Sequence, residues 1–567
     1  MPPIAANLLP VASASRGSVF KRHRNSARAG DMTATIQTLF LLLAVLVVVA
    51  IVSRRLNVAS SIFLVIAGIG LALTPGLPRI ELAPELVLFG ILPPLIYSTG
   101  VAMSWREFRF NLRPIALFAF GCVVFTTCAV AVAVHSLLAM PLAVGFVLGA
   151  IVSPPDVVAP LSIVRRLGVP RRLVVVLEGE GLANDATALV LYRFAVAAVA
   201  TGVFSLGRAA GLFALIVVGE IAYGIAIGWL SLRLRRWVRD PRVEITLSLM
   251  TPYAAFLVPA QLGGSGVLAT VSAGLFVSWT GPLLIPAATR LQGIFFWDLL
   301  VYLLEGLVFL VTGLQIRTIL DRFDLVLWRE PLMAVLVTTV VVLVARFVWV
   351  YPATYLPRWL SPSLARRDPL PPWQWIFFLG FVGVRGVVSL AAALGVPLTT
   401  QAGAPFPDRD LILFVTFGLI VVTLLGQGLL LPSIVGWLGL GRHAAEERER
   451  ERKAELAARS EALNVAQNRL EQLAAEEQIS PEVLAVLRAR HDDRSGRLPR
   501  ATSDGFDVAL AAAELRSELI AAEREFIYQL LRDGRISDEA RRRIERELDL
   551  EEAGIACKKE GGVEPPL

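Results

Sequence analysis

The chain has 567 residues, of which 55% are hydrophobic and only 18% charged, with a mean hydropathy of +0.65. That composition excludes a soluble globular domain and describes an integral membrane protein. The net charge of +7 does not describe a nucleic-acid binder, because the arginines sit mostly in short loops between apolar runs, where they set orientation in a bilayer.

Apolar segments long enough to cross about 30 Å of hydrocarbon recur along the first three quarters of the chain. They run over about 33–53, 57–74, 83–103, 112–135, 141–164, 173–203, 209–232, 243–262, 265–284, 293–316, 330–356, 373–397 and 410–437, which predicts about 13 transmembrane helices. The first, third, fifth and seventh loops carry Arg54 and Arg55; Arg106, Arg109 and Arg113; Arg165, Arg166, Arg171 and Arg172; and Arg233, Arg235, Arg236 and Arg239. These loops are expected in the cytoplasm of a multi-pass protein of the inner (plasma) membrane, with the tail on the same side. "LGGSG" at Leu262–Gly266 reads as a loop between two helices or a break within one.

Residues 1–31 hold a basic cluster, Lys21, Arg22, His23, Arg24 and Arg28, on what that count makes the outer side. Met32 is the expected start, with 1–31 a non-native or disordered extension and 32–440 the membrane domain. From 441 to 567 the composition turns to Glu, Arg, Ala and Leu at helical spacing, which predicts a cytoplasmic helical domain. Cys122, Cys128 and Cys557 are too scattered for a disulfide framework, and no Cys/His spacing suggests zinc or haem, so no cofactor is expected.

A carboxylate within hydrocarbon costs several kcal/mol and usually faces a watery cavity or a partner. "SPPD", Ser153–Asp156, puts two prolines and an acid inside the fifth segment. Were it an exposed loop, Pro141–Val152 would have only about 12 residues to cross a span that needs about 20, and the loop parity would reverse. Pro141–Val164 is therefore predicted as one discontinuous helix, opened at Pro154 and Pro155, with carbonyls freed to ligate a cation. The next segment holds Glu178, Glu180, Asn184 and Asp185. Asp185 lies about 140° round the helix from Glu180, so one acid can line a cavity while the other seeks a partner. Arg385, between Gly383 and Gly386, needs an acid, and Glu180 is the expected structural ion pair; Glu305 with Arg346 could form a second, while Glu220 and Asp298 stay unassigned.

Taken together and in order, "SPPDVVAP", "EGLAND", "GVRG" and "TLLGQGLLLP" resemble the electroneutral monovalent cation:proton antiporters, the NhaP-like and animal sodium/proton exchanger group, over roughly residues 33–440. "LPPLIYSTG", "GGSGVLATVSAGL" and "RIERELDLEE" resemble a bacterial branch of it. The resemblance implies an all-α inverted-repeat core with discontinuous crossing helices beside a dimerisation domain, so a homodimer, working by alternating access. Asp185 then looks like the carboxylate that takes either Na+ or H+, Asp156 its neighbouring acid, Ser153 a Na+ ligand through its hydroxyl or carbonyl, and Asn184 the amide before the exchanging acid. Ser98 and Gly181 depart from the pattern, standing where relatives often carry an acid and a ligating serine.

With an amide at 184, only one site acid is free to trade its proton, which gives electroneutral one-for-one exchange. Two other readings stand beside it: K+ (or Li+) as the cation in the same fold, and a pH-gated cation channel. Enzymatic function is excluded by the lack of His-Glu-x-x-His, paired GxGD-type aspartates or an intramembrane Ser/His pair.

Overall fold

Hydrocarbon offers the backbone no hydrogen-bond partner, so apolar spans must satisfy themselves as helices. The computed structural model describes residues 37–560, apart from 57–58, 76–82, 203–204, 239, 322–327, 401–402, 477–479, 497–502 and 534, and residues 1–31 lie outside it. All regular structure among the described residues is helical; one isolated antiparallel bridge joins Thr399 and Pro405.

The chain divides into two compact units, 1–444 and 445–567. In the first, α1 (Gln37–Leu56) and α2 (Ser60–Ala72) are followed by a π-helical turn, Leu86–Ile91, that runs into α3 (Leu92–Ala102). After a short helix at Trp105–Phe110 come α4 (Leu112–Leu138), α5 (Leu142–Val152), α6 (Val158–Leu167) and α7 (Arg171–Thr201). Then follow α8 (Leu206–Arg235), α9 (Pro241–Gln261), α10 (Val267–Thr280), α11 (Ala287–Leu320) and α12 (Arg329–Leu360). A short helix at Pro362–Arg367 precedes α13 (Trp373–Phe381), α14 (Val387–Leu394) and α15 (Arg409–Trp437). Eight helices among the described residues, α1, α4, α7, α8, α9, α11, α12 and α15, are long and apolar enough to cross a membrane.

The expected break at "SPPD" is present: α5 ends at Val152 and α6 begins at Val158. With 11 and 10 residues, each half is about 15 Å long, half the hydrocarbon thickness. The 373–397 segment is broken as well, between α13 and α14. Its signal in the sequence was the Gly383/Gly386 pair, read there only as close helix approach.

"LGGSG" is a turn between two helices, and it explains Glu220. The Glu220 carboxylate on α8 accepts hydrogen bonds from the backbone N–H groups of Ser265, Gly266 and Leu268 and from the Ser265 hydroxyl. It therefore caps the N-terminus of α10 from a neighbouring helix, a favourable place for a negative charge. Arg193 of α7 closes the turn by donating to the Gly264 carbonyl at 2.6 Å.

In the second unit, α18 (Ser503–Arg532) and α19 (Asp538–Glu560) form a pair, after α16 (Leu440–Ala475), which starts in the first unit, and α17 (Pro481–Gly496). Ile520, Leu548 and Ile555 make its small core, and Arg516–Glu551 and Arg524–Asp549 bridge the pair.

Replacing Glu220 by Gln turns one acceptor oxygen into a donor facing other donors. Glu220→Gln is expected to destabilise the chain by about 2–4 kcal/mol, seen as a lower melting midpoint in detergent; an unchanged midpoint would contradict the capping role.

Candidate functional site

The two breaks meet. The Asp156 N–H donates to the Val384 carbonyl at 2.7 Å, joining the gap between α5 and α6 to the gap between α13 and α14. A Cβ at residue 386 would overlap the Asp156 carboxylate, so only glycine permits this approach. Asp156 also accepts from the Val158 N–H at 2.9 Å and so caps α6. Arg385 occupies the opposite ends: its Nε donates to the Val152 carbonyl at 2.6 Å and its Nη1 to the Gly383 carbonyl, while its backbone N–H donates to the Thr423 hydroxyl at 3.1 Å. Gln427, from "TLLGQGLLLP", donates to the Phe381 carbonyl at 2.8 Å.

Arg385 does not pair with Glu180, contrary to the expectation. Glu180 is fully buried and holds Arg346 of α12 in a two-pronged pair at 2.5 and 2.8 Å. The Arg346 Nε donates to the Leu379 carbonyl at 2.9 Å, and its guanidinium lies over the Phe118 ring. The reason is an accounting of acceptors: the helix break supplies Arg385 with orphaned carbonyls, whereas Arg346 lies in an unbroken helix whose carbonyls are already used. The Glu305–Arg346 alternative fails for the same reason, since Glu180 takes Arg346. Glu178 pairs with Arg165 at 2.7 Å, and Asp298 is exposed on α11.

Asn184 is entirely buried, its amide nitrogen donating to the Pro155 carbonyl at 2.7 Å and its oxygen accepting from the Asp185 N–H at 2.7 Å. It ties α7 to the break between α5 and α6. Ser153 stays in helical conformation at the end of α5, and its hydroxyl turns back to the Ala150 carbonyl at 3.3 Å. Neither side chain lines the cavity in front of the break.

That cavity has a volume of about 110 Å³. The structure brings Asp156, Asp185, Pro154 and Pro155 together on its wall, and adds three residues that the sequence had not singled out for it: Glu305 from α11, Ser389 from α14 and Thr99 from α3. Gly181 lines it as well, and a Cβ there would overlap the Val157 side chain. The Ser98 hydroxyl, next to Thr99, is engaged with the Leu95 carbonyl at 2.8 Å. No lysine or arginine is among the described residues of the wall. Among the described residues no three His, Cys, Asp or Glu groups converge closely enough to hold a metal ion. Three carboxylates nevertheless share the wall of one cavity.

The chain matches the family described as the transmembrane sodium/hydrogen exchangers over residues 41–437. It belongs to that family. The exchanger is 35% identical over 527 residues to an uncharacterized Na+/H+ exchanger of Mycobacterium tuberculosis, covering 91% of this chain and 95% of that one. It is 32% identical to a sodium, potassium, lithium and rubidium/H+ antiporter of Bacillus subtilis, over 70% of this chain and 61% of the other. Its fold is similar to that of the sodium proton antiporter MjNhaP1 of Methanocaldococcus jannaschii, with a TM-score of 0.57, 18% identity, and 72% and 98% of the two chains covered. It is a membrane transporter of the cation:proton antiporter type, not an enzyme.

The re-assigned ion pair gives a direct test in this exchanger. Glu180→Gln and Arg346→Gln should each cost about 3–5 kcal/mol by leaving a buried charge alone, while the double variant recovers much of that loss. Thermal unfolding of the single and double variants, with the Glu180/Arg385 pair as control, reads the coupling; coupling to Arg385 in place of Arg346 would overturn the assignment.

Proposed function

We propose that the chain exchanges one monovalent cation, Na+ in the first instance, for one H+ by alternating access, with Asp185 as the carboxylate that binds either ion. The observation that carries this reading is the cavity with Asp185, Asp156 and Glu305 on its wall and no lysine or arginine among the described residues that line it. A protonated Asp185 cannot hold a cation, and a bound cation disfavours protonation, so the two ions compete for one group. Carriers loaded with Na+ or with H+ then bear the same charge, and transport is electroneutral.

In this reading Asp156 is anchored to the break and shapes the site from beside Asp185, and Glu305 adds a third carboxylate from across the cavity. Ser389 and Thr99 bring hydroxyl oxygens to the wall, that of Thr99 while donating to the Leu95 carbonyl at 3.0 Å, in addition to the hydroxyl or carbonyl expected of Ser153. The crossed breaks of α5/α6 and α13/α14 support an inverted-repeat core within about 13 spans. The arginine-rich loops support an orientation with those loops and the 441–567 helical domain in the cytoplasm, in the inner membrane; the homodimer rests on the family resemblance alone. Residues 1–31 are read as an extension before a start at Met32. K+ or Li+ in place of Na+ is the second reading, supported by the breadth of cations in the name of the Bacillus subtilis relative.

In proteoliposomes carrying a pH gradient, Asp185→Asn is expected to abolish cation-driven proton efflux, with size-exclusion and melting behaviour as in the parent. Wild-type exchange by that variant would end the proposal. Glu305→Gln is expected to keep exchange but raise the half-saturating cation concentration about tenfold, the effect of losing about 1.4 kcal/mol of attraction. An imposed membrane potential should leave the rate of the parent protein unchanged; a steep voltage dependence contradicts electroneutral exchange. Repeating the efflux assay with sodium, lithium and potassium chloride separates the cation readings.

A further inference from the structure

A second polar site, unrelated to the carboxylate cavity, lies where the starts of α4 and α7 meet the end of α12 and the beginning of α13. Three guanidiniums converge there on one carboxylate: Asp368 Oδ2 is 2.5 Å from Arg113 and 2.8 Å from Arg358, and Asp368 Oδ1 is 2.8 Å from Arg172. Three positive charges against one negative leave an excess of two in a partly buried place. Arg358 is further fixed by donating to the carbonyls of Thr354 and Asp368, and Arg172 by donating to the Asn111 side chain at 3.1 Å.

These bonds do not use all the donors. The Nε and Nη1 of Arg113 and the Nε1 of Trp375 are buried and have no hydrogen-bond partner among the described residues, and one acceptor, Asp368 Oδ1, meets Arg172 at ion-pair distance without an aligned hydrogen bond. All three arginines and Trp375 line one cavity of about 50 Å³. That is several times the 10–15 Å³ or so that a single water requires. Buried donors left without acceptors are costly, and a structural clamp alone would not need two guanidiniums beyond its one carboxylate.

We propose that this pocket binds a phosphate oxyanion, supplied by the headgroup of an anionic phospholipid or by free phosphate. The excess charge matches an anion, the unused N–H groups of Arg113 and Trp375 supply donors, and guanidinium geometry suits phosphate oxygens. The location fits the lipid source: a basic pocket between helices at the arginine-rich end of a membrane bundle, with an indole beside it, lies at headgroup depth. Asp368 is then a spacer that holds the three guanidiniums against their mutual repulsion.

The test uses the purified full-length chain in detergent and reads the melting midpoint against added phosphatidylglycerol, phosphatidylcholine or inorganic phosphate. Two variants keep the clamp but remove free donors: Trp375→Phe loses the indole N–H, and Arg113→Lys retains a cation for Asp368 without the buried Nε–H. Both are expected to melt no lower than the parent without ligand, since each removes a buried donor that lacks an acceptor. A saturable rise with phosphatidylglycerol, with half-saturation about tenfold weaker in each variant, supports the pocket and assigns it to lipid. The same pattern with inorganic phosphate alone assigns it to free phosphate. No rise with either, a rise that phosphatidylcholine reproduces, or a rise that both variants retain, overturns the proposal.

Discussion

The fold rests on how two interrupted helices are satisfied within hydrocarbon. Each break strips backbone groups of their helical partners in a medium that offers no replacement. Five of the carbonyls at the breaks, those of Val152, Pro155, Phe381, Gly383 and Val384, accept from Arg385, Asn184, Gln427 and the Asp156 N–H. Every one of these donors belongs to the chain itself, and only two helices besides the two broken pairs contribute: Asn184 comes from α7 and Gln427 from α15, each packed against a break. The crossing is therefore held together by its own hydrogen bonds, and five of its carbonyls already have a donor from the chain.

The charges at the crossing follow the helix ends. α5 and α13 point their C-termini at the breaks, and α6 and α14 their N-termini. A cation is favoured at the former and an anion at the latter. Arg385 donates to carbonyls at the ends of α5 and α13, while Asp156 caps the start of α6 and lies against Gly386 at the start of α14. Neither residue needs the other as an ion-pair partner. That frees Glu180 to anchor α7 to Arg346, and α7 in turn fixes the rotation at which Asp185 meets the cavity.

Much of this was legible in the sequence, and the failures share a cause. The break at "SPPD" could be deduced from length and loop charge, because proline acts locally on its own backbone. The opposed directions of Glu180 and Asp185 came from helical periodicity, and they hold. The partner of Glu180 did not, because Arg346 and Arg385 look alike as single arginines in apolar runs; only the orphaned carbonyls of the second break distinguish them. That break carries no proline, and its glycines signal close approach as readily as interruption. Glu220 and Glu305 were visible as acids within apolar segments, yet their roles depend on which helix lies opposite, which one chain read alone does not encode locally. Ser153 was expected, from the family resemblance, to ligate through its hydroxyl or its carbonyl; its helical conformation turns the hydroxyl back to the Ala150 carbonyl and leaves the carbonyl as the group for that role.

The commitment of the carbonyls bears on coupling in the proposed exchange. A site lined by backbone carbonyls keeps its ligands at any pH, and a cation could enter it whatever the protonation state. A site whose main ligands are carboxylates loses its attraction when they take up protons. With Val152, Pro155, Gly383 and Val384 each accepting a hydrogen bond from within the chain, the titratable ligands on the cavity wall are Asp185, Asp156 and Glu305, beside the hydroxyls of Ser389 and Thr99. Proton uptake then removes the cation site itself, so the two ions exclude one another without a separate gate. The residues that mend the broken helices are, on this view, also what makes the exchange obligatory.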